Sequence, residues 1–396
     1  MLLTSCSVVQ ESDENEIIDL EKDFISGIIK LTEIKQEKII VLNKNTNYFP
    51  EYIENGEIFY VRSQDWTSGF YPGILWELYS VTDNVIWKDY AKLWTETMLN
   101  SKPLNSTHDL GFMILPSVYR GYELTEKISY RNYTIESADS LLSRYDPNIK
   151  LIKSWDNTRW GFPVIIDSMV NMELLFIASI LTNDPSYSLV AINHIESITK
   201  SHIRSDGSVR HVVDFDLETG QIKEVSAGQG LSPSSTWSRG QAWSILGYAL
   251  AYNYTEDLKY LENFEIALTY YLNNLPEDGM PLWDFKVSVD QKSNKDSSAG
   301  YITIYALLRM SILLEQSEKR NMYITHAFNL LNKAYRNGYI SIDENYPGLT
   351  LHSIGHRPRS KQVDVTLFYS DYYLLKSIVI IKENYEKDFS DFLIDY

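Results

Sequence analysis

Phe162-Pro163-Val164-Ile165-Ile166-Asp167-Ser168-Met169-Val170-Asn171-Met172-Glu173-Leu174-Leu175-Phe176-Ile177 is apolar on nearly every side. A surface helix keeps a polar face, whereas a helix without one must be enclosed. The segment from about 164 to 182 therefore predicts a buried helix. Five other segments read the same way, at about 68–80, 109–124, 238–252, 297–315 and 366–382. Between them run amphipathic segments with apolar residues at three- and four-residue spacing, at about 16–33, 87–99, 134–145, 187–203, 258–274 and 318–337. Six enclosed helices alternating with six half-exposed ones predict an all-α fold, an (α/α)6 barrel whose outer ring covers an inner one. No repeat of fixed period supports the ring, so the alternation alone carries it. An irregular helical domain with a small sheet is the competing arrangement.

Strand signals are local. Residues 211–216 and 221–225, separated by Thr219-Gly220, predict a hairpin, and 38–42 with 57–61 suggest a second. The long loops before the enclosed helices hold most of the Trp, Gly, Asp and His residues, so a site would lie at that end. The chain carries 29 Tyr, 14 Phe and 9 Trp, many beside Gly, Ser, Asp or Asn. These rings fit either a large aromatic core or a cleft paved for flat ligands such as sugars. A net charge of −17, with no Lys and Arg cluster to offset it, argues against nucleic acid as a partner.

The lone cysteine, Cys6, excludes an internal disulfide and follows Leu3-Thr4-Ser5 as in a bacterial lipobox. Residues 1–13 thus read as a lipoprotein-like segment with a possible lipid anchor at Cys6, and residues 14–396 as one catalytic (α/α)6 domain. The matching location is the periplasm or cell surface. Against this reading, the basic and long apolar parts of a signal peptide are missing upstream.

Two aspartates stand in apolar surroundings, Asp109 in Thr107-His108-Asp109-Leu110-Gly111-Phe112 and Asp167 in the opening stretch. Burying a carboxylate is costly and raises its pKa, the condition a general acid needs. Asp109 reads equally as the N-cap of a helix, and Asn171 is placed to hydrogen-bond to Asp167 from one turn on. In Asp65-Trp66-Thr67-Ser68-Gly69, Thr67 or Ser68 reads as a helix cap, with Trp66 at the mouth. Arg239, in Trp237-Ser238-Arg239-Gly240-Gln241-Ala242-Trp243, suits either a bidentate grip on a carboxylate or a structural salt bridge. His194, His202 and His211 lack metal-ligand spacing, and no phosphate loop or nucleophile elbow is present, so neither a metal nor a cofactor is expected.

Taken together, these segments resemble glycoside hydrolase family 88, the unsaturated glucuronyl hydrolases. The matching stretches are 65–78, 108–112, Ser154-Trp155-Asp156-Asn157, 162–178, 211–216, Gln229-Gly230 with 235–243, Leu282-Trp283-Asp284-Phe285, Asp296-Ser297-Ser298-Ala299, His352-Ser353 and Asp371-Tyr372-Tyr373. They run in order from about 60 to 380. The resemblance implies the (α/α)6 fold and removal of a 4,5-unsaturated uronic acid from the non-reducing end of lyase products. The chemistry it implies is hydration of a vinyl ether, for which the carboxylate-separation rule of ordinary glycosidases predicts nothing. It implies Asp167 as general acid and base and Asp109 as the second essential carboxylate, with Trp66, His211, Gln229, Arg239 and Trp243 lining the uronate site. The partner it implies is an oligosaccharide supplied by an upstream polysaccharide lyase. In one departure, Ala227-Gly228-Gln229-Gly230 stands where the family usually has Thr-His-Gln-Gly, which leaves room near the site. The basic run His356-Arg357-Pro358-Arg359-Ser360-Lys361 offers Arg357, Arg359 and Lys361 to a sulfate or carboxylate on the leaving sugar. Rival functions are unsaturated rhamnogalacturonyl hydrolysis, a polysaccharide lyase and a non-catalytic surface glycan-binding lipoprotein.

Overall fold

The computed structural model describes residues 23–156, 159–288 and 295–394. The N-terminal segment with Cys6 lies outside them, as does Asn157. Each of the twelve expected helical segments holds a helix. The amphipathic set is Phe24–Leu42, Val85–Met98, Ile128–Leu142, Pro185–His202, Leu258–Asn273 and Glu318–Arg336. The enclosed set comprises Phe70–Thr82, Leu110–Ile114 with its continuation to Thr125, Ser168–Asn171 with Glu173–Thr182, Ser238–Thr255, Ser297–Leu313 and Phe368–Asn384. A final helix, Glu386–Ile394, packs on the last of these.

Each enclosed helix packs on the next in chain order, and Phe368–Asn384 packs back on Phe70–Thr82. Every amphipathic helix then lies against one or two enclosed ones. The two sets differ at their N-termini. Among the amphipathic helices Asp23, Asn84, Asp184, Asp257 and Ser317 each accept a backbone N–H, as helix caps should. None of the enclosed helices has such a side-chain bond at its first turn. Several of their first-turn N–H groups are met from elsewhere in the chain: Phe112 by Asn171 Oδ1, Ser238 by the Trp283 carbonyl and Ser297 by the His352 carbonyl.

The structure departs locally from the sequence reading in four places, the first three with a cause in single residues or one buried face. The first helix runs on through 38–42, because Ile25, Ile28, Ile29, Ile39 and Ile40 continue one buried face. The partner of Glu57–Val61 is instead Phe49–Glu54, joined through Asn55-Gly56 with φ +52° and +80°, the conformation that a tight hairpin turn requires. The helix expected over 109–124 loosens at Leu115–Tyr119 into a wider turn with five-residue spacing, since Pro116 has no N–H to give an α-helical bond. The opening stretch begins as a strand, Pro163–Ile165, paired with Val212–Phe215, which pairs in turn with Ile222–Ser226. That hairpin turns at Gly220, φ +70°, as its sequence predicts. A second sheet at the same end orders Glu57–Val61, Phe49–Glu54, Lys361–Leu367 and Ser353–His356, all antiparallel.

Gly69 lets the first two enclosed helices touch. A Cβ there would stand 2.2 Å from the Met113 carbonyl oxygen, a backbone atom that cannot swing aside. Gly69→Ala is expected to destabilise the protein by about 1–3 kcal/mol, measured as a lower urea midpoint at an unchanged m-value.

Candidate active site

Asp109 and Asp167 occupy the residue before an enclosed helix, yet neither carboxylate caps it. Both are turned to other partners. Asp109 Oδ2 accepts a 2.6 Å bond from Thr107 Oγ1, and Oδ1 lies 3.2 Å from Nε2 of fully buried His108. Burial pushes this carboxyl up, but the charge and contact of His108, with the Thr107 hydroxyl, outweigh it and hold Asp109 below the usual range. Asp167 is only 8% exposed and its Oδ1 has no hydrogen-bond partner. Burial pushes it up to about 7, with a smaller push from Asp109 against the pull of His108 and Arg239. One carboxyl is thereby kept ionised and its neighbour kept protonated up to neutral pH.

Asn171 does not reach the Asp167 carboxyl. Its Nδ2 meets the Asp167 backbone carbonyl at 3.4 Å, and its Oδ1 accepts from the Phe112 N–H at 3.0 Å. Asn171 therefore ties the two aspartate-bearing turns together. His194, whose Nδ1 accepts from the Ile152 N–H, holds Ser168 Oγ at 2.8 Å, and His202 bonds the Val164 carbonyl. Both rings are pins behind the Asp167 turn, pushed down in pKa by burial.

His211 faces the site directly. The Gln229 backbone N–H donates to its Nδ1 at 2.8 Å, so the neutral ring carries its proton on Nε2, 3.9 Å from Asp167 Oδ1. Burial and then repulsion from Arg239 push this imidazole down to about 3, and it stays neutral. A gap of 3.9 Å is too long for a direct bond and suits a bridging water. Gly228 makes this arrangement possible. At φ +57°, a Cβ on it would come within 2.3 Å of His211 Nδ1, so its backbone lies against the ring, and the residue also lines an open cavity of about 800 Å³ beside it.

Arg239 is 1% exposed and committed to protein acceptors: Asp296 Oδ2 at 2.6 Å, Ser298 Oγ, the carbonyls of Ile354 and Gly355, and Gln229 Oε1 at 3.0 Å. It lies between the Trp237 and Tyr369 rings. Of its two sequence readings, this geometry is the buried salt bridge, with Gln229 held from behind. Trp66 packs against Phe70, Phe112 and Tyr369 and lines a cavity of about 670 Å³ with Gln229, Tyr369, Arg359 and Lys361. Trp243 is buried behind Phe112 and lines neither this cavity nor its neighbour. The neighbouring cavity, about 800 Å³, is lined by His211, Gly228, Gln229, Trp155 and Arg359. Arg357 lines neither. Thr67 and Ser68 do not cap their helix either: Asp65 Oδ1 accepts from the N–H and hydroxyl of Thr67, and Ser68 donates to the Ser63 carbonyl. Sequence reasoning quoted Thr107, Asp296 and His356 without giving them a role of their own, and passed over Tyr369. Only Thr107, two residues before Asp109, left a local signal, since Thr and Asp at that spacing readily bond.

No family model matches the chain. It is 36% identical to an unsaturated glucuronyl hydrolase of Formosa agariphila over 87% of its own length and 88% of that protein. Its fold superposes on an unsaturated glucuronyl hydrolase specific for heparin with a TM-score of 0.85 and 31% identity, covering 90% of this chain and 97% of that one. A mutant of the Streptococcus agalactiae unsaturated glucuronyl hydrolase complexed with dGlcA-GalNAc6S superposes with a TM-score of 0.78 and 27% identity, over 96% and 98% of the two chains.

A carboxyl whose folded pKa is raised takes up a proton on folding, so it costs nothing below its unfolded pKa and destabilises increasingly as pH climbs to the folded value. For Asp167 that window runs from about 4 to about 7. Asp167→Asn is therefore expected to melt higher than the wild type at pH 8, with the gap closing toward pH 4. A gap independent of pH would show that Asp167 does not hold its proton in the fold.

Proposed function

The chain belongs to the unsaturated glucuronyl hydrolases of glycoside hydrolase family 88, and on that footing we propose how its residues divide the reaction. It is a glycoside hydrolase that removes the 4,5-unsaturated uronic acid from the non-reducing end of lyase-generated oligosaccharides by hydrating the C4=C5 vinyl ether. The observation that carries the assignment is the raised, unpartnered carboxyl of Asp167 beside the low Asp109. Protonated Asp167 gives its proton to C4, and the cation that develops at C5 is shared with the ring oxygen. A water held between His211 Nε2–H and Asp167 adds to C5 and returns a proton to the carboxylate, which restores the acid. The C5 hemiketal then opens to a ketone, leaving a hemiacetal at C1 that releases the neighbouring sugar. Asp109, ionised throughout, stabilises the cation and keeps the proton on Asp167.

The closed succession of packed enclosed helices supports reading the fold as an (α/α)6 barrel, one catalytic domain over 14–396. Its substrate carries a C4=C5 bond that eliminative cleavage creates, so an upstream polysaccharide lyase supplies it. Arg359 and Lys361 line the cavity walled by Trp66, Gln229 and Tyr369, together with Glu51, Glu54 and Asp65, and are placed to meet sulfate or carboxylate on the leaving sugar, with Arg357 on the same turn.

Loss of ultraviolet absorbance on unsaturated disaccharides tests the assignment. The wild type is expected to consume the chromophore with kcat falling about tenfold per pH unit above roughly 7, as Asp167 loses its proton. Asp167→Asn should lose at least ~1000-fold, and a flat alkaline profile or an active asparagine variant would remove Asp167 from the role. Neutralising Arg357, Arg359 and Lys361 together should lower kcat/KM on sulfated disaccharides alone. Equal losses on sulfated and unsulfated substrates would remove the loop from anion recognition.

A further inference from the structure

The two aspartates of the proposed reaction come from separate stretches of chain, and one short strip, residues 153–156, lies between those stretches. On one side it borders the loop of Asp109: the His108 N–H donates to the Ser154 carbonyl at 3.1 Å, and Thr107 pairs with Trp155. On the other side it borders the strand that leads to Asp167. The Ser154 N–H donates to the Pro163 carbonyl at 2.8 Å, and Ser154 Oγ accepts from the Ile165 N–H at 3.0 Å. The strip therefore spaces the two carboxyl-bearing turns for as long as the Asp109 loop stays seated on it.

Arg144 fastens that joint. It follows the amphipathic helix Ile128–Leu142, is buried, and lines neither cavity over the site. Its Nε donates to the Lys153 carbonyl at 2.8 Å, and Nη1 donates to the Asn105 carbonyl. Nη1 and Nη2 together grip the Asp156 carboxylate, at 2.9 and 3.4 Å. One guanidinium thus holds both ends of the strip and, two residues before Thr107, the loop laid against it. Only a planar fork can serve three partners in this way; a lysine in its place would be a point charge on a flexible stem. The same charge reaches the site. Burial pushes the Asp109 carboxyl up, and His108, Thr107 and then the charge of Arg144 bring it below the usual range.

We infer that Arg144 is a positioning residue for the hydration reaction, locking loop 105–109 onto strip 153–156 and so fixing the Asp109 carboxylate relative to Asp167. This rests on the hydrolase assignment above.

The test compares wild type, Arg144→Met, Arg144→Lys and Lys153→Met on an unsaturated disaccharide across pH, with the melting temperature of each. Arg144→Met is expected to lower kcat about tenfold or more with KM within about twofold, since a displaced carboxylate weakens the transition state more than substrate binding. The acid limb of its kcat/KM profile, where Asp109 must be ionised, should move to higher pH, because a positive charge favouring the ionised form is gone. Arg144→Lys keeps the charge without the fork, so kcat should fall while the acid limb stays in place. Lys153→Met removes the other cation on Asp156, 3.2 Å away, without touching either backbone tie, and should change neither quantity. Should the methionine variant melt below the assay temperature, the lysine variant carries the comparison. Folded Arg144 variants with wild-type kcat, an unmoved acid limb in Arg144→Met, or an equal loss in Lys153→Met would overturn the inference. A wild type inert on the disaccharide would instead overturn the hydrolase assignment.

Discussion

The buried Arg239–Asp296 pair is the interaction on which the site rests. A guanidinium and a carboxylate taken out of water cost several kcal/mol each, of order, unless every donor and acceptor is met. Here the requirement is met by drawing in distant chain: Asp296 from the next enclosed helix, the Ile354 and Gly355 carbonyls from the sheet, and Gln229 from the loop before Arg239. Each partner then places something else. Gln229 sets the tautomer of His211 through its N–H, and His211 presents Nε2 toward Asp167. Gly355 anchors the turn that carries the basic loop over the cavities. Cutting this pair would release Gln229, the imidazole and the cavity wall together, because all three are fastened to one guanidinium.

The same economy appears in the enclosed helices. An aspartate just before a helix ordinarily spends its carboxylate on the first free N–H groups. Asp109, Asp167 and Asp296 stand at that position and do not, which leaves three carboxylates available at one end of the ring of helices. Their environments then set them apart. Asp296 has a guanidinium, Asp109 has His108 and Thr107, and Asp167 has an oxygen with no partner at all. For Asp109 and Asp167, ionisation follows from that difference in partners, not from residue type.

How far the sequence discloses this depends on the range of the interaction. Helix existence is legible because burial repeats every three to four residues, and the alternation of enclosed and half-exposed segments survives in all twelve. Breaks set by a single residue are legible afterwards: Pro116 had to disturb its helix, and Asn55-Gly56 is a hairpin turn in its own letters. The competing strand pairing at 38–42 was attractive only because Lys38-Ile39-Ile40-Val41-Leu42 is rich in β-branched residues, while the helix face it completes starts thirteen residues earlier at Ile25. The partners of Arg239, 57 and 115 positions away, leave no local mark. Neither does the contact of Gly228 with His211, which brings the backbone against the ring. Resemblance supplied the aspartates' roles; the sequence alone could say only that their burial was expensive.

The distribution of charge explains how an acidic protein can work on an anionic sugar with no free cation, among the described residues, beside its acid. A bare guanidinium against Asp167 would favour its ionised form, and each unit of lowered pKa removes about 1.4 kcal/mol of preference for the protonated state. Arg239 stands close enough to exert that pull, but its charge is largely answered by Asp296. Apart from the Asp109 carboxylate, what faces the substrate near Asp167 is accordingly neutral: the Nε2–H of His211 and the amide of Gln229, dipoles fixed by their neighbours. Cations appear farther out, on Arg359 and Lys361, which share a cavity wall with Glu51, Glu54 and Asp65, and there water weakens their effect on the acid. Recognition of charge and retention of the catalytic proton make opposite demands on the local field. The fold meets both by separating them, with paired charge and neutral donors at the reacting carbons and the basic side chains of Arg359 and Lys361 at the rim.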